Sequence, residues 1–366
     1  MATKKRALLF TQDMAGGGAE RVMAHLANGL TDLGIEVSFA LCQKTGPNLK
    51  LLSEQVTIYD LQQPKVMSSL VEFLAVCEHV KPDAVLSALN QPNVVAIRAQ
   101  KRTRIPTTIT LHNDISSYIQ AGKGIKRRLM PFFAKLFYPQ SSHVVSCSQG
   151  LANDFSRVIP RLKGKIQVIY NPVVAPNLFE RAAETPEHEW VNGDQPLVVA
   201  FGRLDPQKDF GNLIRAFGMM QKVRPSRLLI YGEGPEREGL QALINSLGLE
   251  SNVQLPGFTS NPYAFMRNAT VLAMSSMSEG LPTVLIEGLA AGANIVSTNC
   301  PSGPDEILDG GRLGALVPVN DSGALAQALI QAITNPRPPA SPDEYQRYLI
   351  SHASLQYAKV LFPGEF

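Results

Sequence analysis

Short apolar strands that alternate with helix-length segments along most of the chain predict an α/β protein: two facing Rossmann-like domains with a cleft between them, and a C-terminal helix. Three observations carry this expectation. At 366 residues the chain is longer than one hydrophobic core usually fills, so two domains are expected. Strand signals recur at spacings that leave room for crossover helices, the mark of parallel sheets. Several strands also run straight into Gly-rich or polar loops, where open parallel sheets bind ligands.

The elements follow in order. Residues 7–10 are a strand that runs into Gly16, Gly17 and Gly18, and residues 19–33 read as a helix with Val22, Leu26, Leu30 and Leu33 on one face. Gly34 ends that helix, and strand signals follow at 36–41, 84–87, 107–111, 143–146 and 166–169. Asn171-Pro172 closes a first domain of residues 1–172, and residues 173–195, rich in Pro, Glu and Ala without clear period, read as an interdomain connection. The second domain, residues 196–335, has strands at 197–201, 227–231, 253–255, 271–274, 294–297 and 315–317. A Pro-rich break opens the last part, residues 336–366, and leads into a helix over 343–361.

Hydrophobic residues at 45% and charged residues at 18% exclude a disordered chain. Cys42, Cys77, Cys147 and Cys300 form no Cys-x-x-Cys pair, and the apolar run after Lys4, Lys5 and Arg6 is too short for a signal peptide. A reduced cytoplasmic compartment is therefore expected, with no membrane span. Residues 1–172 hold 21 Lys/Arg against 11 Asp/Glu, a net +10, while the remainder holds 13 against 20, a net −7. The first half is thus the one expected to meet an anionic partner, whether nucleic acid, membrane or phosphorylated acceptor.

Three segments of the second half could carry chemistry. Arg203 and Lys208 lie five residues apart after a strand, a fork and a movable point charge suited to a diphosphate; the alternative is a solvated loop. Gly232-Glu233-Gly234-Pro235-Glu236-Arg237 follows another strand, and its glycines would let backbone approach a ligand closely. Arg237 replaces the third glycine of a dinucleotide fingerprint, so nicotinamide binding gains little support, and a tight turn remains an alternative. The run from Glu279 to Glu287 joins a loop carboxylate to a helix with Pro282 in its first turn. Its N-terminus is an anion site, and the two glutamates could accept hydrogen bonds from sugar and ribose hydroxyls. Alternatively Glu279 is a loop acid and Glu287 a solvated helix residue.

These residues carry a resemblance. Glu279-Gly280-Leu281-Pro282-Thr283-Val284-Leu285-Ile286-Glu287 resembles the Glu-x7-Glu motif of retaining glycosyltransferase family four, whose members have the GT-B fold. The Arg203/Lys208 segment and the run from Gly232 to Arg237 resemble that family's other donor-domain motifs in the same order. Gly17-Gly18-Ala19-Glu20-Arg21 and Asn171-Pro172 resemble the family's N-terminal marks, and the run from Cys300 to Leu308 is similar to members that build bacterial surface polysaccharides and glycans.

The resemblance implies catalytic roles for Glu279 and His112, the latter at a strand end near the donor hexose. It implies donor binding by Arg203, Lys208, Gly232, Gly234, Gly280, Leu281, Thr283, Val284 and Glu287. Gly16, Gly17 and Gly18 would form an acceptor or phosphate loop. No metal and no cofactor is implied beyond a UDP-sugar donor substrate, and no nucleic acid. A lone histidine is more often structural, and a sugar-nucleotide epimerase or a non-catalytic membrane or nucleic-acid binding module are the alternative readings.

The basic first half has one further signal. Leu129, Phe132, Phe133, Leu136 and Phe137 fall on one helical stripe, beside Lys123, Lys126, Arg127, Arg128 and Lys135. Docking on an anionic membrane through Lys126, Arg127, Arg128, Phe132, Phe133 and Phe137 is one reading, which would hold the protein peripherally on the inner face of the cell membrane. An ordinary core face is the other. Pro131 predicts a helix that starts near Met130, with the earlier cations on a loop.

Overall fold

The computed structural model describes residues 4–15, 17–112, 115–116 and 125–366, with the side chains of 125–129 outside that description. The chain divides into two units: the residues up to Val173 together with Arg347–Phe366, and Val174–Gln346.

The first unit is a parallel sheet in the order β3-β2-β1-β4-β5-β6-β7. Its strands are β1 (Arg6–Thr11), β2 (Glu36–Leu41), β3 (Thr57–Asp60), β4 (Ala84–Ala88), β5 (Thr107–Leu111), β6 (His143–Ser146) and β7 (Ile166–Val168). Near-continuous burial of β1, β4 and β5 fits strands covered on both faces. Helix α1 (Gly18–Asp32) packs on one face through Val22, Met23, Leu26 and Leu30. On the other face lie α2 (Leu70–Val80) and α3 (Asn90–Thr103), with Phe10 stacked on Phe73 at 4.2 Å. Helices α4 (Ile125–Phe137) and α5 (Gln149–Val158) complete the layer around β5 and β6. The strand order reverses between β1 and β4, which makes the carboxyl ends of these two strands the switch point.

The second unit repeats the plan in the order β10-β9-β8-β11-β12-β13, again parallel, with its switch point between β8 and β11. The strands are β8 (Leu197–Phe201), β9 (Arg227–Tyr231), β10 (Val253–Gly257), β11 (Val271–Met274), β12 (Ile295–Thr298) and β13 (Ala315–Val317). Both units are Rossmann-like.

The structure differs from the sequence expectation at four places. Residues 174–195 are not a free connection: α6 (Asn177–Ala182) buries Leu178 and Ala182 against α9 (Pro262–Asn268) and α10 (Thr283–Ala291), and His188 hydrogen-bonds Gln254 at 3.2 Å. The helix expected over 343–361 breaks into a turn at Pro342–Tyr345, a 3-10 turn at Gln346–Tyr348 and the helix Ile350–Leu361. That last helix sits in the core of the first unit, where Ala353, Tyr357 and Leu361 join the α1 face. Gly29 of α1 permits this approach, because a Cβ there would lie 2.1 Å from Ser354 Oγ. The edge strand β3 gave no sequence signal because it is half exposed on both faces. Finally, α4 begins at Ile125 with Pro131 inside it rather than near Met130.

Candidate active site

In the second unit the site is built on the carboxyl edge of β8 and β11. After β8 the chain turns through Asp205, whose side chain caps the Lys208 amide at 3.3 Å, and through Asp209, a left-handed residue (φ 45°) that caps the next helix. This turn is stitched to the loop after β11: Met277 N donates to Gln207 O at 2.8 Å, Gln207 Nε2 to Ser278 O at 2.7 Å, and Ser275 Oγ to Lys208 O at 2.8 Å. The result brings Lys208 Nζ to 2.6 Å from Glu279 Oε1, with side chains 21% and 11% exposed. A pair this far out of water is held more firmly than a surface pair. Arg203, five residues before, is exposed, and its side chain has no hydrogen-bond or ion-pair partner among the described residues.

The glycines have a structural task. A Cβ on Gly232 would lie 1.8 Å from Gly202 O, and one on Gly234 2.3 Å from Leu204 O. Leu204 N donates to Glu233 O and Glu236 N to Leu204 O, each at 3.0 Å, so the two loops interlock around Arg203. The bare faces of Gly232 and Gly234 therefore meet this chain's own backbone. Arg237 clasps Glu233 through two 2.6 Å bonds and also donates to Leu255 O. The sequence reading missed this clamp, although the four-residue spacing of Glu233 and Arg237 was its visible signal.

Around Glu279 the chain is tightly packed. Pro282 is the residue before α10 rather than its first and offers it no side-chain cap, and the positive end of the helix follows directly on the Glu279 loop. Leu281 is buried, Gly280, Thr283 and Val284 are half-buried, and Glu287, at 5% exposure, is not a solvated helix residue. Gly303 has φ 95°, and a Cβ there would meet Pro282 Cδ at 2.4 Å, which explains the glycine in the loop after Cys300. Burial, reinforced by the Glu279 carboxylate, pushes the Cys300 thiol up to about 12 and makes it inert.

In the first unit His112 follows β5. Its Nε2 lies 2.9 Å from Thr110 Oγ1, and burial lowers its pKa to about 4, so the ring is neutral at neutral pH. Thr11 Oγ1, Ser87 Oγ and Asn93 Oδ1 are buried at this edge with no hydrogen-bond partner among the described residues. Of the expected phosphate loop, Gly16 lies outside the described residues. Gly17 precedes α1 without a side-chain cap, and Glu20 folds back so that a Cβ on Gly17 would lie 2.2 Å from Glu20 Oε2. Among the described residues, nothing lies within 4 Å of where a Cβ on Gly18 would stand.

The stripe of α4 splits. Met130 and Ala134 join the core with Tyr138, Phe133 and Phe137 lie partly buried against it, and Phe132 and Leu136 stand 61% and 47% exposed. Lys101 of α3 lies 5.8 Å over the Phe137 ring. Lys123 lies outside the described residues, as do the side chains of Lys126, Arg127, Arg128 and Leu129. Among the described residues no helix is long and apolar enough to cross a membrane, and no group of three or more His, Cys, Asp or Glu could hold a metal ion.

Two Rossmann-like units and a last helix returned to the first make up a GT-B fold. The solved structure of Anabaena Alr3699/HepE in complex with UDP has this fold, with a TM-score of 0.81 over 98% of this chain and 99% of that one at 21% identity. The chain belongs to glycosyltransferase family four: the family model described as Glycosyltransferase Family 4 matches residues 16–175, and that described as Glycosyl transferases group 1 matches residues 183–350. The epimerase and binding-module readings fall with this. Among curated relatives, a Campylobacter jejuni N-acetylgalactosamine-N,N'-diacetylbacillosaminyl-diphospho-undecaprenol 4-alpha-N-acetylgalactosaminyltransferase is 28% identical, with 88% of each chain covered. A Rhizobium meliloti lipopolysaccharide core biosynthesis glycosyltransferase, LpsE, is 27% identical over 87% of this chain and 86% of its own.

Proposed function

We propose that this glycosyltransferase moves a hexose or N-acetylhexosamine from a UDP-sugar to a growing lipid-linked glycan, with retention at the anomeric carbon and without a metal ion. The observation that carries the reading is the Lys208–Glu279 pair beside the unpartnered Arg203 at the switch point of the second sheet. Arg203, Lys208 and the positive end of α10 stabilise the diphosphate as its bond to the sugar breaks. Glu279 and nearby backbone stabilise the positive charge that develops on the sugar, and Glu287 takes the ribose. The acceptor hydroxyl attacks from the face the diphosphate leaves, and its proton passes to the departing phosphate oxygen. His112 borders the hexose as a neutral hydrogen-bonding group.

The UDP in the Anabaena structure and the undecaprenol-linked sugars in the name of the Campylobacter relative support the donor and acceptor classes. A lipid-linked acceptor also requires approach to a membrane. Phe132 and Leu136, exposed beside Lys135 and the cations of α3, support docking on an anionic inner surface.

A panel of nucleotide sugars tests the donor, since a true donor raises the unfolding temperature by binding only the native state. Transfer from the stabilising sugar should then run in EDTA and give a product with the donor's anomeric configuration. Stabilisation by no UDP-sugar, metal-restorable loss in EDTA, or an inverted product would each remove the corresponding part of the proposal.

A further inference from the structure

We infer that Thr110 is a positioning residue for the reaction: its hydroxyl holds His112 as the Nε2–H tautomer and leaves Nδ1 as a bare hydrogen-bond acceptor. The inference rests on reading His112 as a residue of the donor hexose, and it adds which ring nitrogen meets the substrate and what decides that.

The argument is a count of protons. Thr110 Oγ1 lies 3.1 Å from Ser87 O and 2.9 Å from His112 Nε2. A hydroxyl has one proton and a carbonyl can only accept, so the proton goes to Ser87 O. The hydroxyl oxygen then has only lone pairs to offer, and Nε2 must carry the hydrogen between them. In the opposite arrangement the proton points at Nε2, and two oxygens face each other at 3.1 Å with no hydrogen between. Thr110 is 2% exposed and Ser87 fully buried, so water does not relieve that contact.

The hydroxyl is also held in place. Thr110 is β-branched and stiff at χ1, and it pairs with Ala88 across the parallel strands β4 and β5. Asn93, 1% exposed, donates from Nδ2 to Thr110 O at 3.0 Å and fixes the same residue from the other side. His112 Nδ1 has no partner among the described residues. Because burial keeps the ring neutral, Nδ1 can accept a hydrogen bond from a sugar hydroxyl but cannot donate one.

The test uses the full chain labelled with ¹⁵N in the histidine rings. Long-range proton–nitrogen correlation at neutral pH distinguishes the two tautomers, and the His112 signals are identified by their loss in His112→Gln. Nε2–H is expected in the wild type and in Thr110→Ser, and a mixture or the reverse tautomer in Thr110→Val. Turnover at saturating donor should fall about tenfold in Thr110→Val, with donor KM within about twofold, and return in Thr110→Ser. An Nδ1–H wild type, or a Thr110→Val protein with unchanged spectrum and turnover, overturns the proposal. Full turnover in His112→Gln would instead remove His112 from the reaction, and with it the kinetic effect, while the spectrum still decides what sets the tautomer.

Discussion

The second sheet carries charge at its switch point: Lys208 paired with Glu279, Arg203 free beside them, and a helix terminus behind. Along the same edge the first sheet carries, among the described residues, buried hydroxyls, an amide and a neutral imidazole, although the sequence of that half holds the net +10. The comparison teaches that net charge does not locate chemistry. The acidic half presents the cations suited to a diphosphate, because three short hydrogen bonds between two loops set them there. The basic half spreads its cations elsewhere, among them Lys101 and Lys135 around the exposed Phe132 and Leu136.

The largest expected effect falls on the charged edge. Lys208→Ala should lower turnover by roughly 10² to 10³, the scale for losing one preorganised charge-stabilising donor. It should also destabilise the fold by about 1–2 kcal/mol, because Glu279 is left nearly buried without its partner. Arg203→Ala should lower turnover by about 10² with no change in melting temperature, since Arg203 supports nothing else in the protein. Steady-state kinetics with thermal denaturation separates the two. Equal stability losses would erase the distinction between a paired and a free cation.

The neutral edge predicts a pH effect of the opposite origin. His112 has its pKa lowered from 6.5 to about 4, so the unfolded chain takes up a proton more readily than the folded one in that window. Stability from this group is full above pH 6.5 and is lost as pH falls toward 4, by about 3 kcal/mol. Denaturant titrations across that range should show a steeper fall for the wild type than for His112→Gln. Parallel curves would mean that the edge is not as dry as its burial implies.

The smallest effect belongs to the outer surface. Phe132→Ser with Leu136→Ser should weaken sedimentation with anionic vesicles by about tenfold at low salt while turnover on a soluble acceptor stays unchanged. Unchanged vesicle binding would return these side chains to ordinary exposed residues.

Much of the fold was legible in the sequence because buried parallel strands are short and apolar with sharp ends. β2, β5, β6, β8, β9, β11 and β13 begin and end where their residues predict. β3 escaped because an edge strand need not be apolar. The ligand-facing motifs were visible as motifs, but not their internal bonds. Nothing in the spacing of Lys208 and Glu279 says that they touch, and nothing in the glycines at 232 and 234 says that they pack against Gly202 and Leu204. Thr110 and Asn93 gave no signal, because their importance comes from strands adjacent in space and distant in sequence.

The return of the terminal helix to α1 has a consequence for the order in which the protein can be made. A ribosome completes the whole of Val174–Gln346 before it delivers the residues that finish the first unit. The second unit is continuous and can mature while still attached to the exit tunnel. The first must wait with the Gly29 face of α1 uncovered until Ile350 and Ser354 arrive with their helix. During that interval the nascent chain carries a finished donor-side unit joined to an unfinished apolar one. Exposure of that face, and the need for a chaperone to shield it, should therefore persist until the helix Ile350–Leu361 emerges.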